Sequence, residues 1–179
     1  MENISKVLMF KLNSGRFAKE HGFGSDWYNL NETDGSYYGI ILNSGRHHDI
    51  YLQKMDAVAT HTTPFIEGVL LIYVEDFNGA TNIVAIGENS TVYRKEQTTP
   101  DEMYRNRSAT NNRGETWHTG YHTVTKAENM HILDDDYIPL MIPKKDAYFF
   151  RAQRMAFQEK YNEIKNYIVD EAVKFLKNQ

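Results

Sequence analysis

At 179 residues the chain is the size of one domain with room for a real core, and 41% hydrophobic with 25% charged residues is ordinary for a globular fold. A net charge of −4 excludes a global basic field of the kind that coats nucleic acid, though not a locally basic site. The absence of cysteine excludes disulfides, thiolate nucleophiles and cysteine-ligated zinc.

Lys6 to Leu12 reads as a short apolar strand, broken at Asn13-Ser14-Gly15. Arg16 to Gly24 suits a short helix with Gly22 just past its end. A turn follows at Glu32 to Gly35, then a strand from Tyr37 to Leu42 with Gly39 inside it, a usual mark of a bulge or close backbone approach. Asn43 to Asp49 is a polar loop, and Ile50 to Ala59 has no clear type. From Gly68 to Arg94 two hydrophobic strands flank the Asn78-Gly79 turn. Val69, Leu71 and Tyr73 alternate with Leu70, Ile72 and Val74, and both sets are apolar, so this hairpin is expected to be buried on both faces. Lys95 to Gly120 has little periodicity and reads as a long loop. Tyr121 to Ala127 alternates like a strand, Met130 to Leu133 starts another, and Ile138 to Pro143 leads into the last element. From Asp146 to Lys177, Phe157, Tyr161, Ile164, Ile168, Ala172 and Phe175 recur at helical spacing, an amphipathic helix.

These elements predict an α+β fold: a small twisted sheet or partly closed β-barrel, residues 1–145, with flanking helices and a long C-terminal helix over 146–179. That helix either packs on the sheet or reaches a partner. No signal peptide or membrane-length apolar run is present, so the expectation is a cytoplasmic protein that binds no membrane.

The usual catalytic patterns are missing. His47-His48-Asp49 has no metal-ligand spacing and reads as a polar loop. Glu75-Asp76 and Asp134-Asp135-Asp136 lack the strand-borne lysine of a nuclease centre. There is no Gly-x-Ser-x-Gly elbow and no phosphate-binding glycine loop. Neither a metal, nor a cofactor, nor a catalytic residue is expected.

Three segments instead combine flat rings with short polar groups: Phe23 to Asn29, holding Asp26 and Trp27; Asn89 to Arg94, holding Thr91 and Tyr93; and Trp117 to Tyr121. Nucleobases need such parts, a ring face for stacking and amide, carboxylate or hydroxyl groups for the base edge. Arg94, Lys95, Arg105, Arg107 and Arg113 flank the second and third segments and suit phosphates. The alternative is that Trp27 and Trp117 are core residues and the arginines only solubilise a loop.

HGFGSDWYNLNETDGSYYGIIL, FIEGVLLIYVEDFNGATNIVAIGENSTVYR and GYHTVTKAENMHILDDDYIPLMIP, in this order, resemble a prokaryotic domain found at the N-terminus of HNH-endonuclease-like and other restriction-associated proteins. The resemblance spans roughly Ser14 to Pro143 and implies a fold similar to the PUA superfamily, which includes EVE, YTH, ASCH and SRA domains. It implies a small barrel whose aromatic pocket takes a flipped, often methylated, base. The positions it touches are Gly22, Gly24, Asp26 and Asn29, Tyr38-Gly39, Asn89, Thr91, Val92, Tyr93 and Arg94, and Lys126 to Asn129. Where the family pattern has Gly-Trp-Tyr, this chain has Ala85-Ile86-Gly87, so the pocket has either lost those rings or replaced them with Trp27 or Trp117. The expected function is a non-catalytic module that recognises a modified, flipped base in DNA, or RNA, in a restriction or defence setting. Its base-binding set is Asn13, Ser14, Phe23, Asp26, Trp27, Asn29, Tyr38, Asn89, Thr91, Tyr93, Arg94, Trp117 and Tyr121. The competing expectations are an adaptor that joins a second copy or another protein through residues 146–179 and, with least support, a nucleotide-directed enzyme.

Overall fold

The computed structural model describes residues 6–12, 30–41, 49–77, 79–98, 108–110, 114, 116–118, 120–133, 136–142 and 162–179, with the backbone alone described at 77, 108–110 and 116–118. The long hairpin predicted from the sequence is the spine: β4 (Phe65–Phe77) and β5 (Ala80–Gln97). Phe77 faces Ala80 across a two-residue turn in which Gly79 has φ +77°, a conformation glycine adopts without a Cβ clash. β1 (Val7–Lys11) runs parallel to β4. On the far side of β5 lie β8 (Tyr121–Lys126), then β3 (Ser36–Gly39) and β2 (Glu32–Thr33). β9 (Met130–Ile132) and β10 (Ile138–Leu140) pair with the other half of β5.

The result is a mixed sheet of eight strands in an α+β fold. Among the described residues its path is open, from β1 at one end to β2 at the other, so of the two expected forms the sheet is found and the partly closed barrel is not. Two other expectations change. The strand predicted through Leu42 stops at Gly39. The expected loop from Lys95 contains the end of β5 and a separate two-stranded sheet, β6 (Ser108–Thr110) with β7 (Thr116–His118). Strands of three residues are too short for a period-two pattern to register.

The pairing of β4 with β5 is not uniform. Its register shifts between Tyr73 and Val74, between Val69 and Leu71, and between Ile66 and Val69. The first two shifts put an extra residue on β5 and the third puts one on β4, so Phe65 meets Tyr93 instead of Val92, its partner in the turn's own register. Two bulge residues carry positive φ, Gly68 at 72° and Asn89 at 47°. Asparagine is among the few residues with a side chain that accept this region at modest cost.

Both faces of the spine are buried, as its doubly apolar alternation predicts. On one face Val7, Met9, Leu70, Ile72, Val74, Ile83 and Ile86 pack beneath α1 (Asn162–Lys177), whose Ile168 and Ala172 are fully buried. On the other, Leu8, Phe10, Val69, Leu71, Tyr73 and Val92 pack with Ile50, Leu52 and Met55 around a 3-10 turn over Leu52–Lys54. The apolar stripe of α1 is thus covered by the sheet, and the start predicted at Asp146 lies outside the described residues. Among the described residues no helix is long and apolar enough to cross a membrane.

Candidate nucleic-acid interface

Past its bulge at Asn89, β5 alternates cleanly. Ser90, Val92 and Arg94 are buried, while Asn89, Thr91, Tyr93 and Lys95 are exposed or half-exposed. Ser90 Oγ and Thr125 Oγ1 lie 2.6 Å apart on the side where a Cβ on Gly87 would also meet them. Ile86, pointing the other way, packs beneath α1. Alternation therefore sets Asn89, Thr91, Tyr93 and Lys95 on the sheet face that carries α1. Val124 faces Thr91 on one side and Tyr38 on the other, which brings Tyr38 to the same face.

On this face the rings form a row across neighbouring strands. Phe65 and Tyr93 are 5.7 Å apart between centroids, Tyr93 and Tyr121 5.9 Å, and Tyr121 and Tyr38 5.0 Å. Tyr121 is nearly perpendicular to both neighbours, at 83° and 71°, the edge-to-face arrangement favoured by ring quadrupoles. Burial, and then the nearby Tyr93 and Tyr38 phenols, push the Tyr121 hydroxyl above the ordinary tyrosine range. The tyrosines are half-buried and Phe65 is 43% exposed, so the row is an open platform. Rings this close touch each other. A base sandwiched between two of them would need roughly 7 Å, twice the 3.4 Å rise of stacked bases. The row therefore offers a flat ligand its open face and no slot between its rings.

The structure brings together Tyr38, Asn89, Thr91, Tyr93, Lys95 and Tyr121 from the predicted set. Phe65 joins them and was missed, because its partner depends on bulges that alternation does not reveal. Asn13, Ser14, Phe23, Asp26, Trp27, Asn29, Arg105, Arg107 and Arg113 lie outside the described residues, and Trp117 sits on β7 with its backbone alone described.

Arg94 is a correction. It points to the opposite, buried face at 7% exposure. Its Nε donates to Thr63 O at 2.8 Å, Nη2 to Thr60 O at 2.5 Å and Nη1 to Ile50 O at 3.3 Å. Its backbone is tied in as well: Ile50 N donates to Arg94 O at 2.7 Å and Arg94 N to Pro64 O at 2.8 Å. The guanidinium holds the loop over 50–64 against β5, out of reach of a phosphate on the ring face. The Ala85-Ile86-Gly87 segment lies in the core, not beside the rings, so the departure from the family pattern falls on residues that pack the sheet.

Where Asn89 stands, the strand is anchored from outside. Glu88 Oε1 is 3.0 Å from His131 Nε2, and the His131 ring meets Phe175 of α1 edge-on at 6.4 Å. The last turn of α1 thus flanks the Asn89 end of the platform. Among the described residues no group of three histidine or acidic side chains is placed to hold a metal. Comparison of the chain with family models, with curated proteins and with solved structures finds no match.

Proposed function

We propose that this chain is a non-catalytic nucleic-acid-binding module that stacks an unpaired base, extruded from DNA or presented in a single strand, on the Phe65–Tyr93–Tyr121–Tyr38 row. The row carries the reading: four rings crossing four strands on a half-exposed face, the kind of aromatic surface on which bases stack. Thr91 and Asn89 lie along the same line of β5 and supply a hydroxyl and an amide for a base edge, and Lys95 supplies a cation for the backbone. The sequence resemblance adds the PUA-like fold group, the preference for a modified base and the restriction or defence setting. The adaptor reading is the weaker one, since the apolar face of α1 is already covered by this chain's own sheet.

Stacking on an aromatic side chain contributes about 1–3 kcal/mol per base. Tyr93→Ala should therefore weaken binding of an oligonucleotide by roughly 5- to 150-fold. Titrating fluorescein-labelled oligonucleotides with and without cytosine or adenine modifications measures this. Equal affinity of wild type and Tyr93→Ala for every oligonucleotide would remove the row from the function. Equal affinity of the wild type for modified and plain bases would remove the preference while leaving the platform.

A further inference from the structure

The third ring of the row, Tyr121, stands beside a defect in the sheet. β5 and β8 pair at Val92 with Thr123 and again at Gln97 with Tyr121, so five steps along β5 match two along β8. A regular ladder would satisfy the backbone groups in this gap, and a gap leaves them needing other partners. One is supplied by a side chain: Gly120 N donates to Glu96 Oε1 at 2.7 Å. The approach is too close for any residue but glycine, since a Cβ at position 120 would lie 2.2 Å from Gln97 O and 2.6 Å from Glu96 Cγ. Tyr121 is the next residue, the first of β8, and its ring is the one wedged between Tyr38 and Tyr93.

We infer that Glu96 is a positioning residue for the platform: its carboxylate fixes the Gly120 backbone and so sets the Tyr121 ring between Tyr38 and Tyr93, making one continuous surface for a base. Without that bond the chain entering β8 loses an anchor beside the gap, and the ring shifts with the backbone. The elevated Tyr121 hydroxyl agrees with a ring held in partial burial. Glu96 itself need not touch the ligand. The part of this inference that concerns binding rests on the function proposed above, whereas the part that concerns geometry does not.

The test uses two variants of the full chain. Glu96→Ala removes the acceptor, and Glu96→Gln keeps an acceptor oxygen but removes the charge. Nuclear Overhauser effects between the Tyr121 ring and the Tyr38 and Tyr93 rings report position directly. The expected result is that both effects vanish in Glu96→Ala and persist in Glu96→Gln. Affinity for a labelled single-stranded oligonucleotide should fall at least fivefold in the first and stay within twofold in the second. Undiminished Overhauser effects in Glu96→Ala would overturn the positioning role, whereas their loss in both variants would uphold it and assign it to the carboxylate's charge. A displaced Tyr121 ring with unchanged affinity would uphold the positioning role and count against the proposed function.

Discussion

Replacing Arg94 separates an architectural arginine from a phosphate-binding one. Arg94→Met keeps most of the stem and removes every donor. Three hydrogen bonds to backbone carbonyls disappear, at 2.8, 2.5 and 3.3 Å. A hydrogen bond from a charged donor contributes about 1.5–3 kcal/mol, so the gross loss is on the order of 5–9 kcal/mol. Part of that is recovered, because Thr60 is exposed and Thr63 half-exposed, and their carbonyls regain water once the loop over 50–64 loosens. Ile50 is 5% exposed and recovers little. The net cost should be about 3–5 kcal/mol, the usual range for removing one partner of a buried charged network. For a chain of this length that lowers Tm by about 6–20 °C. Arg94→Lys should cost less but still more than about 1 kcal/mol, because one ammonium cannot span three carbonyls as a planar fork does.

Thermal and urea denaturation measure the cost, and limited proteolysis locates it, with new cleavage expected between Ile50 and Pro64. Binding provides the decisive contrast. At a temperature where Arg94→Lys is fully folded, its affinity for an oligonucleotide and the dependence of that affinity on salt should match the wild type. A phosphate contact would instead reduce the salt slope by about one. Stability within about 1 kcal/mol of wild type, together with a flattened salt slope, would refute the reasoning and return Arg94 to the ligand.

Three further substitutions test polar groups, two buried in the sheet and one at the hairpin surface. Thr123 Oγ1 is buried with no hydrogen-bond partner among the described residues, whereas Thr125 Oγ1 is 2.6 Å from Ser90 Oγ. An unsatisfied buried hydroxyl costs about 1–3 kcal/mol, so Thr123→Val should leave urea stability unchanged or raise it by about 1 kcal/mol, while Thr125→Val lowers it by about 1–2 kcal/mol; the same sign at both sites would contradict these assignments. Asp76 lies on the hairpin beside Lys11 and accepts from Thr81 Oγ1 at 2.6 Å. Burial works to raise its carboxyl, but the Lys11 and Thr81 hydrogen bonds and the Lys11 charge outweigh it and hold the group below the ordinary carboxylate value of 3.8. A lowered folded value means that the contribution is present above that ordinary value and is lost as pH falls through the folded one. The stability gap between wild type and Asp76→Asn should therefore be constant near neutrality and shrink in acid, read from urea midpoints across pH; a gap that widens in acid would reverse the sign.

How far the sequence reveals this molecule depends on the range of the interaction that decides each feature. The hairpin is legible because its signals are local: an Asn-Gly turn and two apolar alternations whose faces are buried as the pattern predicts. The helix is legible for the same reason, since Ile168 and Ala172 fall on one stripe and that stripe is the buried one. The choice between an open sheet and a partly closed barrel is not legible, because closure depends on whether β1 and β2 meet, a relation between segments far apart in the chain that no local pattern encodes. Arg94 and Tyr93 are adjacent, each with a polar tip and each suited to a ligand by composition, yet one residue of alternation sends the first into the loop clasp and the second onto the platform. Phe65 makes the stronger point. In the register dictated by its own turn it would face Val92 and turn toward the core. Three bulges with a net slip of one residue place it opposite Tyr93, and a slip of one exchanges the faces of a strand. Two of those bulges leave a trace in the sequence, Gly68 and Asn89 at positive φ. A residue tolerant of that conformation inside a strand is the cue that alternation changes sign there. The Asn89 that composition offers as a base-edge group thus has a prior physical role: it turns the outer half of β5 over and so brings Thr91 and Tyr93 to the face where Tyr38 and Tyr121 stand. Replacing it with a β-branched residue should disturb the ring row even with every ring still present.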